Sequence, residues 1–256
     1  MKKLRPVIVS APNIYNSSLI KSLNEKGFQA LSFPVIETLI YDNPSFNEIF
    51  KKIGSFDFII LPSKTAINSF LTQISKRNIS LNSLKAQVIA IGKDYDYLKK
   101  RHFKHILKPK EPSTQGIVDS LKKPGKNKNI LVLIPKVENI PEPVIIPELL
   151  AGLKEIGNIH AIDAYITKPI SNIPSEIEKI ILSEEYEFIA VTSGGEASAL
   201  KKLFPIFYTK LKIACFGPYT EKTAVNEGFK PIFTGEKFSS FTDFAEELKL
   251  FLEASL

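Results

Sequence analysis

The chain repeats itself at a distance of 130 residues. Residues 56–70 (FDFIILPSKTAINSF) resemble residues 186–200 (YEFIAVTSGGEASAL), with Ser63 and Ser193 in register. Each copy is followed by a strand ending in glycine, at Gly92 and at Gly217. The opening βαβ pattern recurs at the same distance, with Gly27 closing the first helix and Gly157 in the corresponding place. Solenoid units run ~20–50 residues, so a period this long means duplicated domains. At 256 residues there is enough chain for each copy to bury its own core.

Within the copies, short runs rich in Val and Ile alternate with segments of helical period, the pattern of parallel βα units. Strands are predicted at 6–10, 30–34, 57–61, 87–91, 105–107, 130–134, 159–162, 188–191, 213–216 and 231–233. Helices are predicted at 17–26, 64–75, 94–101, 114–121, 147–156, 175–183, 195–204, 219–227 and 240–252. This predicts an open, mostly parallel α/β sheet in each half. No Gly/Ser linker separates the halves. The candidate crossing points are 34–41 and 162–169, both extended, β-branched and next to proline. The lysine-rich stretch 122–129 reads as a solvated turn.

Composition then removes several chemistries. One cysteine, Cys215, allows neither a disulfide framework nor a CxxC pair, and in its apolar strand it reads as an inert core thiol. Three histidines, His102, His105 and His160, form no HExxH, so no protein-ligated metal is expected. Residues 1–4 are basic, but the apolar run after them is too short for a signal sequence, and no stretch approaches the ~20 apolar residues of a membrane span. The expectation is a cytoplasmic protein with no membrane partner. The net charge of +7 is too small to argue for nucleic acid, and the lysine runs at 99–104 and 122–128 predict only weak, salt-dependent affinity for it. The excess can, however, help to collect an anionic ligand.

In a parallel sheet, ligands bind outside the carboxyl ends of the strands. Here those ends carry Ser10, Ser63, Thr192, Ser193, Gly194, Gly217 and Thr220. Hydroxyls and free backbone N–H groups at such ends bind carboxylate or phosphate, although the same residues also serve as plain helix caps. Ser113 is predicted to cap a helix, with Thr114 beside it. Finding this chemistry in both halves favours a cleft between the domains lined by anion-binding loops. GxGxxG, GxxxxGK[ST] and GxSxG are absent, and Ser193 has no evident histidine partner. Tyr165, in the second crossing segment, is either a phenol reaching that cleft or a buried structural tyrosine.

Taken in order, these segments resemble the uroporphyrinogen-III synthase family along most of the chain. The resemblance rests on FPVIE at 33–37, SKTAI at 63–67, Ile91-Gly92, PSTQG at 112–116, VLIPK at 132–136, AYIT at 164–167, TSG at 192–194 and GPYT at 217–220. It implies two similar open parallel-sheet domains with flavodoxin-like layering, joined by two extended crossover segments with a cleft between them. Residues 1–37 plus 168–256 would form domain 1, and residues 38–167 domain 2.

The resemblance further implies closure of linear hydroxymethylbilane into uroporphyrinogen III with inversion of ring D and loss of water, through an azafulvene and a spiro intermediate. No cofactor or metal is implied. The substrate carries eight carboxylates, which suits the positive charge and the anion-binding loops. Substrate binding is assigned by this likeness to Ser10, Ser63, Ser113, Thr114, Lys136, Thr192, Ser193, Gly194, Gly217 and Thr220. Tyr165 would assist departure of the hydroxyl as donor or acid, with an ordinary phenol pKa of ~10. A monomer in transient contact with the preceding pathway enzyme is the implied state. The chain departs from the family at Ala11, where arginine is usual, at Tyr95, where threonine is usual, and at Pro62, where the second copy has Thr192. These departures keep open an alternative, a non-catalytic two-domain protein that binds an anionic metabolite or tetrapyrrole.

Overall fold

A computed structural model describes residues 5–101, 103–111, 113–122, 127–143, 145–237 and 240–254. The basic residues 1–4, His102, Pro112 and residues 123–126 of the lysine-rich turn lie outside the described residues. In chain order the elements are β1 (Val7–Val9), α1 (Asn13–Glu25), β2 (Ala30–Ser32), β3 (Ile36–Ile40), α2 (Phe46–Lys51), β4 (Phe58–Ile60), α3 (Lys64–Lys76), β5 (Gln87–Ile89), α4 (Lys93–Lys99), β6 (Ile106–Leu107) and α5 (Thr114–Lys122). They continue as β7 (Lys128–Val137), α6 (Ile145–Lys154), β8 (Gly157–Pro169), α7 (Ser175–Leu182), β9 (Ile189–Val191), α8 (Gly194–Leu203), β10 (Ile213–Cys215), α9 (Pro218–Asn226), β11 (Phe233–Thr234) and α10 (Phe241–Ala254).

The chain divides into two units. Unit 1 takes the chain through Glu37, then Glu138–Pro141, then Lys168 onward; unit 2 takes Thr38–Val137 and Glu142–Thr167. Relative to the sequence division, the difference is Glu138–Pro141. Its Ile140 packs on the apolar cluster of unit 1, where Gly195 leaves room for the side chain.

Unit 1 is a five-stranded sheet in the order β2-β1-β9-β10-β11, parallel at every pairing. Unit 2 contains β8-β7-β4-β5-β6, again parallel, with β3 added outside β8. Numbered along the first unit, the order is the doubly wound 2-1-3-4-5. The second unit has the same order once β7 and β8 stand for the first two strands, so it is a circular permutation of the first. That is the structural content of the repeat, since the strand before Ser63 and the strand before Ser193 occupy the same central place.

Side chains alternate across each strand and so supply a core on both faces of each sheet. Val7 and Val9 meet α1 and α10 on one face of unit 1, through Leu19, Leu23, Phe244 and Leu248. Ile8 points to the other face, with Ile181 of α7 and Leu200 of α8. In unit 2, Ile59 and Leu131 face α2 and α3, while Ile60 and Val132 face α5 and α6.

Three local features differ from the sequence expectation. Helix α1 begins four residues early, because buried Asn16 donates to the carbonyls of Val9 and Ala11 and holds the extra turn. Helix α2 is absent from the sequence reading; its Phe46, Ile49 and Phe50 are buried at i, i+3 and i+4, but six residues are too few for that period to stand out. Gly27 has φ +91° and closes α1 as expected, whereas Gly157 opens β8 and is required for space: a Cβ there would sit 2.1 Å from the Lys128 carbonyl oxygen.

Candidate active site

The parallel registers of unit 2 draw a level line across its sheet through Ala161, Val132, Ile60, Ile89 and Leu107. Tyr165, Lys136, Ser63 and Ser113 all come later in their segments than this line, and hence belong to the carboxyl edge. Ser63 has extended dihedrals and caps α3, accepting from the Ala66 N–H at 3.1 Å. Its hydroxyl is also 3.0 Å from that of Tyr165.

A β-bulge explains how Tyr165 reaches Ser63. Alternation alone would place Tyr165 with Asp163, on the face opposite Ile162 and Ala164. The register between β7 and β8 instead slips after Ile134, where Pro135 has no N–H to offer the ladder. Ala164 becomes the extra residue, and its carbonyl is taken by the Tyr41 N–H at 3.3 Å and the Ser69 hydroxyl at 2.7 Å. Tyr165 thereby joins Ile162 and Ala164 in one cluster, only 7% exposed, with its hydroxyl against Ser63. The ring is buried, and the phenol oxygen meets a second candidate residue.

The other candidates of unit 2 are separate from this pair. Ser113 caps α5 as expected, accepting from the Gly116 N–H at 3.0 Å, but its own hydroxyl donates to Glu111. Thr114 is half-buried at the first position of α5. Lys136 is exposed, with its ammonium 5.9 Å from the centre of the Tyr41 ring.

In unit 1 the hydroxyl-rich strand ends do gather a carboxylate, and it is the chain's own. Glu196 of α8 is fully buried. One carboxylate oxygen accepts from the Ser10 hydroxyl at 2.6 Å and the Thr192 N–H at 2.9 Å; the other accepts from the Thr192 hydroxyl at 2.5 Å and the Ser193 hydroxyl at 3.0 Å. Thr220 closes the group, donating to the Thr192 carbonyl at 3.1 Å. Ser10 has no exposed surface, and the hydroxyls of Ser10, Thr192 and Ser193 are all hydrogen-bonded to Glu196. Burial pushes the Glu196 carboxyl above its ordinary range, and the hydrogen bonds from Ser10, Thr192 and Ser193 offset part of that. Gly194 is tightly packed. A Cβ on Gly194 would lie 2.6 Å from the Thr223 side chain, and Gly217 is the extended N-cap of α9. Sequence reasoning passed over Glu196, although Ser193-x-x-Glu196 has capping-box spacing.

Cys215 is fully buried, and burial pushes its thiol up to about 12, which leaves it unreactive. Among the described residues no cluster of His, Cys, Asp or Glu could hold a metal ion, and no helix is long and apolar enough to cross a membrane.

The model of one protein family, HEM4, described as uroporphyrinogen-III synthase HemD, matches residues 17–241. The chain belongs to the uroporphyrinogen-III synthase family. Its fold is shared with solved structures of that name at low identity. A mutant uroporphyrinogen III synthase from the extremely thermophilic bacterium Thermus thermophilus aligns over 98% of this chain and 99% of its own, with TM-score 0.61 and 16% identity. The uroporphyrinogen-III synthetase of Helicobacter pylori aligns over 96% and 99%, with TM-score 0.61 and 19% identity. No curated protein matches the chain. Membership of this family indicates uroporphyrinogen-III synthase function, an activity of porphyrin and heme biosynthesis on a small-molecule tetrapyrrole.

Proposed function

We propose that the protein converts hydroxymethylbilane into uroporphyrinogen III with inversion of ring D, acting as a cyclising hydro-lyase without a cofactor. Its domains are residues 1–37 plus 168–256 and residues 38–167. The observation that carries the mechanism is the hydroxyl pair Ser63–Tyr165 at the carboxyl edge of unit 2.

In this reading the Tyr165 phenol donates toward the terminal hydroxyl of the bilane. The C–O bond breaks with its electrons leaving on oxygen, which takes up a proton and departs as water. The electron pair of the adjoining pyrrole nitrogen closes the azafulvene as its N–H proton is lost. The substituted carbon of the ring D pyrrole then attacks the azafulvene to form the spiro intermediate, which fragments and recloses with ring D inverted. Ser63 orients the phenol while its own position is held by its capping bond to Ala66. The remaining catalytic contribution is positioning of a flexible chain that can otherwise close without inversion.

Purified protein supplied with hydroxymethylbilane is expected to release the type III isomer. Exclusive formation of the type I isomer would overturn the proposal.

A further inference from the structure

Two lysines that the sequence reading passed over lie at the carboxyl edge of unit 2. Lys64 follows Ser63 at the start of α3, and Lys108 is the residue after β6. Both come after the level line of the registers, on strands two places apart in the order β4-β5-β6. At ~4.8 Å per strand, their chain positions are roughly 10 Å apart across the sheet.

Each ammonium is seated on an aromatic ring supplied by α4. Lys64 Nζ is 5.4 Å from the centre of Tyr97, and Lys108 Nζ is 5.3 Å from the centre of Tyr95. Tyr97 is itself fixed, since its hydroxyl donates to Asn68 at 2.8 Å and the Arg101 guanidinium lies 4.2 Å from the same ring centre. A ring quadrupole attracts a cation without neutralising it and narrows the range of a long side chain, leaving the ammonium charged and directed.

Both lysines are exposed, and neither forms an ion pair among the described residues. One acid, Asp94, feels the charge of Lys64. Burial raises its carboxyl, and Lys64 opposes that only through longer-range attraction. By contrast, Lys201 in unit 1, which also lies over a tyrosine, is neutralised by Glu227 at 3.0 Å. Two preorganised cations with no ion pair among the described residues, one of them next to Ser63 in the chain, suit a ligand with several carboxylates.

We infer that Lys64 and Lys108 are substrate-binding residues, each gripping one carboxylate of the polyanionic substrate at the carboxyl edge of unit 2. The inference rests on the function proposed above and adds to it the groups that hold the substrate.

The test compares wild type with Lys64→Gln, Lys108→Gln and the double variant in the full chain. Lys85→Gln serves as control; it removes the same charge from an exposed residue that precedes β5, at the opposite edge. Each edge variant is expected to raise KM for hydroxymethylbilane about tenfold, the loss typical of one charge-assisted hydrogen bond, with kcat falling less than KM rises. Arginine at either position should restore most of the loss. The double variant should also flatten the fall of kcat/KM with added salt, and the control should do neither.

A double variant with the KM and salt dependence of wild type overturns the inference and leaves the proposed reaction standing. If wild type itself fails to cyclise hydroxymethylbilane, the proposed reaction falls, and binding of uroporphyrin, an octacarboxylate, decides the inference separately. Weaker binding by the double variant than by wild type supports the two grips, and equal binding removes them.

Discussion

Replacing Glu196 tests whether its buried carboxyl organises the strand ends of unit 1. Glu196→Ala removes the acceptor for the Ser10 hydroxyl, the Thr192 N–H, the Thr192 hydroxyl and the Ser193 hydroxyl. Not all four losses count in full. Ser10 keeps the Ala190 carbonyl at 2.9 Å, and half-buried Thr192 and Ser193 can turn their hydroxyls to water. The Thr192 N–H and the vacated volume remain, and removal of a buried carboxyl also relieves its desolvation. The net cost is about 2–4 kcal/mol. For a chain of this size that lowers Tm on the order of 10 °C.

Glu196→Gln should cost less, about 1 kcal/mol. Its carbonyl can keep Ser10 and the Thr192 N–H, while its NH2 donates to the two hydroxyl oxygens, which can accept. The pH dependence follows from the raised carboxyl. The folded state holds the proton where the unfolded chain, with an ordinary value of 4.5, has released it. The stability that Glu196 contributes is therefore complete below that value and is lost as pH rises through the higher folded pKa. Denaturant unfolding of wild type and Glu196→Gln across the acid-to-neutral range should show the wild-type curve falling more steeply. An alanine variant that melts within about 1 °C of wild type, or parallel pH curves for wild type and the glutamine variant, would refute this account.

Tyr165→Phe should lower kcat at least a hundredfold, as loss of a general acid does, while costing about 1 kcal/mol for one lost hydrogen bond; unchanged turnover removes the tyrosine from the chemistry. Gly157→Ala should destabilise by about 2 kcal/mol or more, because its Cβ meets backbone of Lys128 that cannot move without breaking the β7–β8 ladder; a wild-type Tm would show that the strands yield. The Asp57 carboxyl is held below its ordinary value of 3.8 by the Asn129 N–H and by Lys128 at 3.0 Å, so its contribution is present above that value and disappears as pH falls through the lower folded pKa. With both side chains about a third exposed, screening limits this to under ~1 kcal/mol; Asp57→Asn should reduce the loss of stability in acid, and an unaltered acid transition would count against the pair.

Residue pattern alone carried most of the fold, and the reasons are local. Val7 to Val9 or Ile59 to Ile60 can only be short buried strands, and Gly27 marks the end of α1 because few other residues accept its dihedrals. The hydroxyls at the strand ends were legible for the same reason, and Ser63 and Ser113 cap helices as their types suggest. Glu196 was not legible as a partner. Capping-box spacing predicts a bond back to the helix start, whereas the acceptor serves Ser10, which is 186 positions away in the chain. Tyr165 was legible as a candidate and illegible in its setting, because its face depends on a bulge opposite Pro135 in another strand.

Side-chain period and turn residues act over a few positions, and they suffice to specify two α/β halves, the elements within them and the chemistry offered at the ends of their strands. That the second half is a circular permutation of the first emerges only in the folded chain, since strand order is a matter of long-range pairing. The fold also decided which hydroxyls are already satisfied by Glu196 and which pair with Tyr165. Satisfaction of a polar group depends on whatever the fold brings within about 3 Å, and chain distance places no limit on that.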